Sequence, residues 1–305
     1  MNREEITKTL YVQMEKQDYK GTIVSIEHVS ELQEDIEEKY RKGLLCEEVY
    51  REVLSYVDFR IPEISPRAES IIVVAVPQPQ VRITFNWNGN PVHCMIPPIY
   101  SHATDDQVKN LLEPHLKSNG HHLVRADLPL KLLAVHCGLA QYGRNNISYV
   151  EGLGSFYRLA AFYSDIPCSE DNWGELVMME RCERCSACLK TCPTGAISSD
   201  RFLLRAERCL TFLNENQGEF PQWVDPSWHH CLVGCLYCQK VCPVDKDFFK
   251  GIEEGPTFSR QETDALLQSK PRPEIPEGTI AKLEELGLIE YLDILGRNLS
   301  VLVHK

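Results

Sequence analysis

The stretch Cys182-Glu183-Arg184-Cys185-Ser186-Ala187-Cys188-Leu189-Lys190-Thr191-Cys192-Pro193 decides how this chain is read. It returns in shorter form as Cys235-Leu236-Tyr237-Cys238-Gln239-Lys240-Val241-Cys242-Pro243, preceded by Cys231, and Cys209 stands between the two runs. Cysteines separated by two residues on a tight turn bind one iron-sulfur cubane, while a cysteine placed before proline leaves the turn and can ligate a second cluster. The spacing therefore predicts two [4Fe-4S] clusters and a chain that moves electrons. A disulfide framework suits a small secreted domain in an oxidising compartment; this chain has 305 residues and opens Met-Asn-Arg-Glu-Glu-Ile-Thr-Lys, with no apolar signal core. Structural zinc would suit two Cys-x2-Cys pairs, but it leaves the third cysteine and the two Cys-Pro endings without a role.

If the runs exchange their last cysteines, cluster one takes Cys182, Cys185, Cys188 and Cys242. Cluster two takes Cys192, Cys235, Cys238 and one more thiolate, for which Cys209 and Cys231 compete. Spacing alone favours Cys231, as the nearer thiol.

Working outward, the formal net charge is -12, from 44 acids against 32 bases. That balance argues against a broad nucleic-acid footprint, which needs a basic face. The longest strongly apolar run, residues 71–76, is far short of the roughly 20 residues that cross a bilayer. The expectation is a cytoplasmic protein with no membrane partner, in a compartment where thiols stay reduced.

Hydrophobic periodicity predicts helices over residues 1–16, 30–40, 46–57, 105–119 and 128–138, and strands over 22–26, 70–76, 81–87, 92–96 and 156–163. Ser30 is the expected cap of the second helix, and Asn88-Gly89-Asn90 supplies a hairpin turn. Prolines 62, 66, 77 and 79 break regular structure. Beyond residue 250, Pro256, Pro271, Pro273 and Pro276 mark a linker-like region, with one or two short helices over 280–295. The expected architecture is α+β: an α+β domain over 1–176, a ferredoxin-like two-cluster domain over 177–250 and a helical tail over 251–305.

Residues 182–245 resemble the double-cluster module of the epoxyqueuosine reductase family, which is related to the cobalamin-dependent reductive dehalogenases. Arg208-Cys209 matches an isolated Arg-Cys that supplies a cluster ligand in that family, so the resemblance selects Cys209 and leaves Cys231 surplus. Upstream, residues 66–75 are similar to the family's first core strand. Cys137-Gly138-Leu139-Ala140-Gln141-Tyr142-Gly143-Arg144-Asn145-Asn146 is similar to its Gly-Leu-Gly...Gly-Lys-Asn segment, and Leu153-Gly154-Ser155-Phe156-Tyr157 to the strand that follows. The resemblance implies a corrinoid (cobalamin) held by the first domain; Arg144, Asn145 and Ser155 are its candidate partners, Arg144 because a polar cluster beside a glycine suits close backbone approach to a cofactor. It also implies a catalytic carboxylic acid that donates a proton. The matching position falls near Val124-Arg125, and Asp127 lies close by but off register. Tyr142 is a second candidate proton donor, and Tyr100 and Tyr157 are aromatic candidates beside a planar macrocycle. The family's C-terminal helical repeats, which contact tRNA, have no counterpart after residue 250.

The leading reading is an iron-sulfur reductase relaying electrons from a ferredoxin or flavodoxin through two clusters to a corrinoid that reduces a small molecule, with tRNA not expected as a partner. An electron carrier without corrinoid is one alternative, and an epoxyqueuosine reductase acting on tRNA is the other. His93, His102, His121, His122, His136, His229 and His230 show no metal-ligand spacing, and the His121-His122 pair reads as a surface turn. Cys46, Cys94, Cys137 and Cys168 read as small buried hydrophobes.

Overall fold

The computed structural model describes residues 3–63, 67–99 and 102–304. Pro66 of the strand-like match and the candidate Tyr100 lie outside the described residues. In chain order the elements begin with α1 (Arg3–Lys16), β1 (Lys20–Ser25), α2 (His28–Arg41), α3 (Glu47–Tyr56), β2 (Ser70–Pro77), β3 (Gln80–Trp87) and β4 (Asn90–Ile96). There follow α4 (His102–Lys117), β5 (Leu123–Arg125), α5 (Leu130–His136), β6 (Gln141–Tyr142), β7 (Ser148–Tyr149) and β8 (Tyr157–Ser164). The rest comprises α6 (Ala187–Thr191), α7 (Leu210–Glu215), α8 (Tyr237–Lys240), β9 (Ile252–Phe258), α9 (Arg260–Leu267), α10 (Glu277–Glu285) and α11 (Leu292–Val303). Two compact units result, Met1–Pro77 with Ser101–Cys185, and Gln78–Tyr100 with Ser186–Lys305.

The first unit is built on an antiparallel sheet of order β1-β2-β8-β5. Its central strand explains the continuous apolar run. Successive side chains of a strand point to opposite faces; here Ile71, Val73 and Ala75 meet Leu32, Ile36 and Leu133 on one face. On the other face, Ile72, Val74 and Val76 meet Leu10, Met14, Leu112 and Leu116. With helices on both faces, β2 has no wet side, so its sequence does not alternate. All pairings of this sheet are antiparallel, which makes the fold α+β. The helix expected to start at Ser30 starts at His28; Ser30 sits inside its first turn and donates to the Glu27 carbonyl at 3.1 Å.

His121 and His122 are not a loose surface turn. The Asp165 carboxylate is fully buried and accepts from His122 Nδ1 at 2.7 Å, His122 N at 2.9 Å and His121 Nδ1 at 3.0 Å. Burial would raise this carboxyl, but the His122 and His121 hydrogen bonds outweigh it and hold the group below the usual aspartate range. A carboxyl depressed in the folded state adds stability above its unfolded pKa, about 3.9, and loses it as pH falls through the folded value. Asp165→Asn is therefore expected to cost about 1–3 kcal/mol at neutral pH. Urea unfolding followed by circular dichroism should show that gap narrowing as the pH falls below about 4.

The second unit centres on a three-stranded sheet of order β4-β3-β9. The β3–β4 hairpin turns through Asn88 and Gly89, both at positive φ (50° and 80°), as an Asn-Gly turn requires. Strand β9 was not foreseen: it runs parallel to β3, pairing Gln80 with Ile252 and Phe85 with Phe258, inside the region expected to be a linker. Its sequence, Ile-Glu-Glu-Gly-Pro-Thr-Phe, lacks alternation because only Phe258 is buried. Helices α9, α10 and α11 close the core through Leu266, Leu283, Leu295 and Leu299 against Ile83, Phe85 and Phe258. Residues after 250 thus join the sheet and core of this unit.

Candidate iron-sulfur site

None of the thirteen cysteines is in a disulfide. The first run enters through a short 3-10 turn, Glu180–Glu183, that carries the buried Cys182. Cys188 lies on α6 and Cys192 ends it, its N–H bonded to the Cys188 carbonyl at 3.0 Å. In the second run Cys238 lies on α8, which packs against α6, and Cys242 follows that helix. Cys209 sits at the N-terminal boundary of α7, the residue before its first turn.

Two of these thiols have raised pKa values. Burial pushes Cys235 up to about 12, and the nearby Cys209 and Cys192 add to the shift. Burial likewise raises Cys209, with Cys192 adding to it. Neighbouring thiols that disfavour each other's ionisation are a donor set that iron stabilises, because the metal replaces the protons. Cys231 is placed differently. It is 1% exposed and bridges to Met95 of β4, next to the core residues Leu232 and Val233. Among the described residues no group of three or more Cys, His, Asp or Glu side chains is gathered as a single metal ion requires. A cubane is larger, and its thiolates stand farther apart.

In the first unit β6 and β7 form a small hairpin that leads to the first run. Its turn is tight: a Cβ on Gly143 would come within 2.6 Å of both Asn145 Oδ1 and the Tyr149 ring. Asn145, 3% exposed, donates to Tyr149 Oη at 2.9 Å and accepts from Ile147 N at 3.3 Å. Arg144 reaches the cysteine loop, its Nε donating to the Cys182 and Cys185 carbonyls at 3.2 and 3.1 Å and a terminal nitrogen to Cys182 at 2.6 Å.

The side chains expected to hold a corrinoid make contacts within the protein. The guanidinium of Arg144 and the amide of Asn145 are committed to these bonds, and Ser155 is buried at 6% exposure. Tyr142 is also buried, and that burial drives its hydroxyl above the usual tyrosine range, which suits a packed residue better than a proton donor. Tyr157 is buried and donates to Ser148 Oγ at 2.7 Å. Asp127 is half-exposed and ion-paired with Arg125 at 2.9 Å. Sequence reading missed the role of Arg144; its signal was an arginine after a glycine in a turn, which says nothing of where the side chain goes.

Of the remaining cysteines, Cys94 and Cys137 are buried as expected, whereas Cys46 and Cys168 are only partly so. His136 stacks on Trp173, with ring centroids 4.8 Å apart. Among the described residues no helix is long and apolar enough to cross a membrane.

Comparison with known proteins follows the same lines. Residues 181–245 match the model of the 4Fe-4S double cluster binding domain. The epoxyqueuosine reductase of Yersinia pestis is 34% identical over 128 residues, 42% of this chain and 29% of that protein. That of Bacillus subtilis is 31% identical over 144 residues, 45% of this chain and 36% of that one. The matched stretch thus spans about a third of these relatives. A crystal structure of epoxyqueuosine reductase with an epoxyqueuosine-modified tRNA-Tyr stem loop aligns over 99% of this chain and 82% of its own, at 19% identity and a TM-score of 0.64.

These findings overturn the expectation that tRNA is not a partner. That expectation rested on the net charge of -12 and on the short stretch after the cysteine runs. Net charge sums the whole surface, while phosphate contacts are made by a few local side chains. By sequence over part of its length the chain is similar to epoxyqueuosine reductases, it shares their fold, and residues 181–245 match a 4Fe-4S double cluster binding domain.

Proposed function

We propose that the protein is an iron-sulfur reductase of the epoxyqueuosine reductase type that acts on an epoxide carried by tRNA. The observation that carries this reading is the match of residues 181–245, which hold Cys192, Cys209 and Cys235, to a 4Fe-4S double cluster binding domain. Cluster two takes those three with Cys238; cluster one takes Cys182, Cys185, Cys188 and Cys242. Removing an epoxide oxygen as water consumes two electrons and two protons, and a four-iron cluster passes one electron at a time. Two centres in series, fed by a ferredoxin or flavodoxin, suit that demand.

One aromatic side chain of the second unit supports a contact with an unstacked base. Trp223 is 44% exposed, and the Arg208 guanidinium lies over its ring at 5.4 Å. An exposed aromatic beside arginine is what an unstacked base takes. The test is anaerobic incubation of reconstituted protein with epoxyqueuosine-bearing tRNA and reductant, followed by mass spectrometry of the nucleosides. The expected result is loss of one oxygen from the modified nucleoside. No conversion by protein holding both clusters would refute the substrate.

A further inference from the structure

We infer that Arg144 is a positioning residue for cluster one, which fixes the Cys182–Cys185 loop and raises the reduction potential of the centre that loop ligates. The inference rests on the two-cluster reading above and adds a residue to it. The hairpin that carries Arg144 is stiff. Gly143 N bonds to Ile147 O at 2.8 Å, Asn146 N to Gly143 O at 3.0 Å, and Asn146 holds a left-handed φ of 59°. The free edge of β6 is zipped to the chain entering the cysteine run: Tyr142 N donates to Val177 O at 2.8 Å, and Met179 N to Tyr142 O at 2.9 Å. Cys182 N then donates to Met179 O at 2.9 Å. From that base one guanidinium spans two carbonyls, and both belong to ligand residues.

Two consequences follow from chemistry. A planar guanidinium donates from several nitrogens in fixed directions, so it can hold both carbonyls at once, whereas a lysine ammonium acts as a compact point charge. A fixed positive charge also stabilises the more negative, reduced form of a nearby cluster, and local charge is among the factors that set cluster potentials. Arg144 thus combines a mechanical role with an electrostatic one, and substitutions separate the two.

The test uses the full chain, anaerobically reconstituted, as wild type, Arg144→Lys and Arg144→Gln. Iron is counted, both midpoint potentials are measured by redox titration followed by electron paramagnetic resonance, and hydrogen exchange is measured on metal-free samples. Expected for Arg144→Gln is a roughly tenfold fall in the one-electron reduction equilibrium of one centre, about 59 mV, with the other unmoved. Arg144→Lys keeps the charge and should recover at least half of that shift. Both variants should speed exchange in peptides covering residues 180–185 while β2 and β8 stay protected. Selective loss of one cluster with β2 and β8 protected also supports the role. Unchanged potentials with unchanged loop exchange would overturn it, as would lost protection of β2 and β8, which would make Arg144 a residue of the general fold. A wild type holding fewer than about seven irons fails differently, because two intact centres require eight; that result removes the two-cluster reading before any variant is compared.

Discussion

Cys209→Ser should leave anaerobically reconstituted protein with about four irons in place of about eight, while Cys231→Ser should keep all of them. The two thiols differ in setting rather than in chemistry. Cys209 opens α7 and shares electrostatic surroundings with Cys192 and Cys235. Cys231 is pinned where Leu232 N bonds to Met95 O at 3.0 Å, within the unit's apolar core. Cubane ligation needs four thiolates, and a serine hydroxyl in place of one binds iron far less well. Electron paramagnetic resonance of the reduced protein should then show one centre in Cys209→Ser and two in Cys231→Ser. A full iron count in Cys209→Ser, or loss of half the iron in Cys231→Ser, reverses the assignment. The raised pKa values of Cys209 and Cys235 add a directional expectation: metal-free thiols there are protonated at neutral pH, so assembly releases protons and is favoured as pH rises.

The parts of the molecule legible in the sequence are those whose signals are local. The Cys-x2-Cys runs show their chemistry by spacing, and β2 shows its double burial by lacking alternation. The β3–β4 hairpin shows its turn through Asn88-Gly89. What stayed hidden depends on partners far along the chain. Strand β9 has an unremarkable sequence and becomes a strand because β3 offers it an edge some 170 positions earlier. His121 and His122 read as a turn because Asp165, their partner, lies more than forty positions away. Arg144 was placed against a cofactor because a polar residue beside glycine suggests close approach. Its actual partners are carbonyls of the cysteine loop, and carbonyls leave no mark on a sequence. The exclusion of tRNA failed for a related reason, since composition averages what a binding surface localises.

Asn298→Ala is expected to destabilise the second unit by about 2–4 kcal/mol, because it leaves two buried carbonyls without their donor. Asn298 is 1% exposed on α11, and its amide nitrogen donates to Asn214 O and Leu232 O, each at 2.8 Å. Its oxygen in turn accepts from Arg297 Nε at 3.0 Å. Arg297 reaches Leu213 O at 2.9 Å as well as Gly218 O, with its guanidinium 4.1 Å from the Phe220 ring. Asn214 passes the connection on by donating to Gly234 O at 2.8 Å. The carbonyls held by this network flank Cys209 on one side and Cys235 on the other. Loss of Asn298 should therefore act on cluster two as well as on stability, through backbone that touches no iron. Urea unfolding gives the first effect, and the rate at which a chelator strips iron gives the second. Asp293→Ala on the exposed face of the same helix is the control and should change neither. If Asn298→Ala lowers stability but leaves the stripping rate at the wild-type value, the final helix braces the sheet alone, and the cysteine segments owe their positions to α6 and α8.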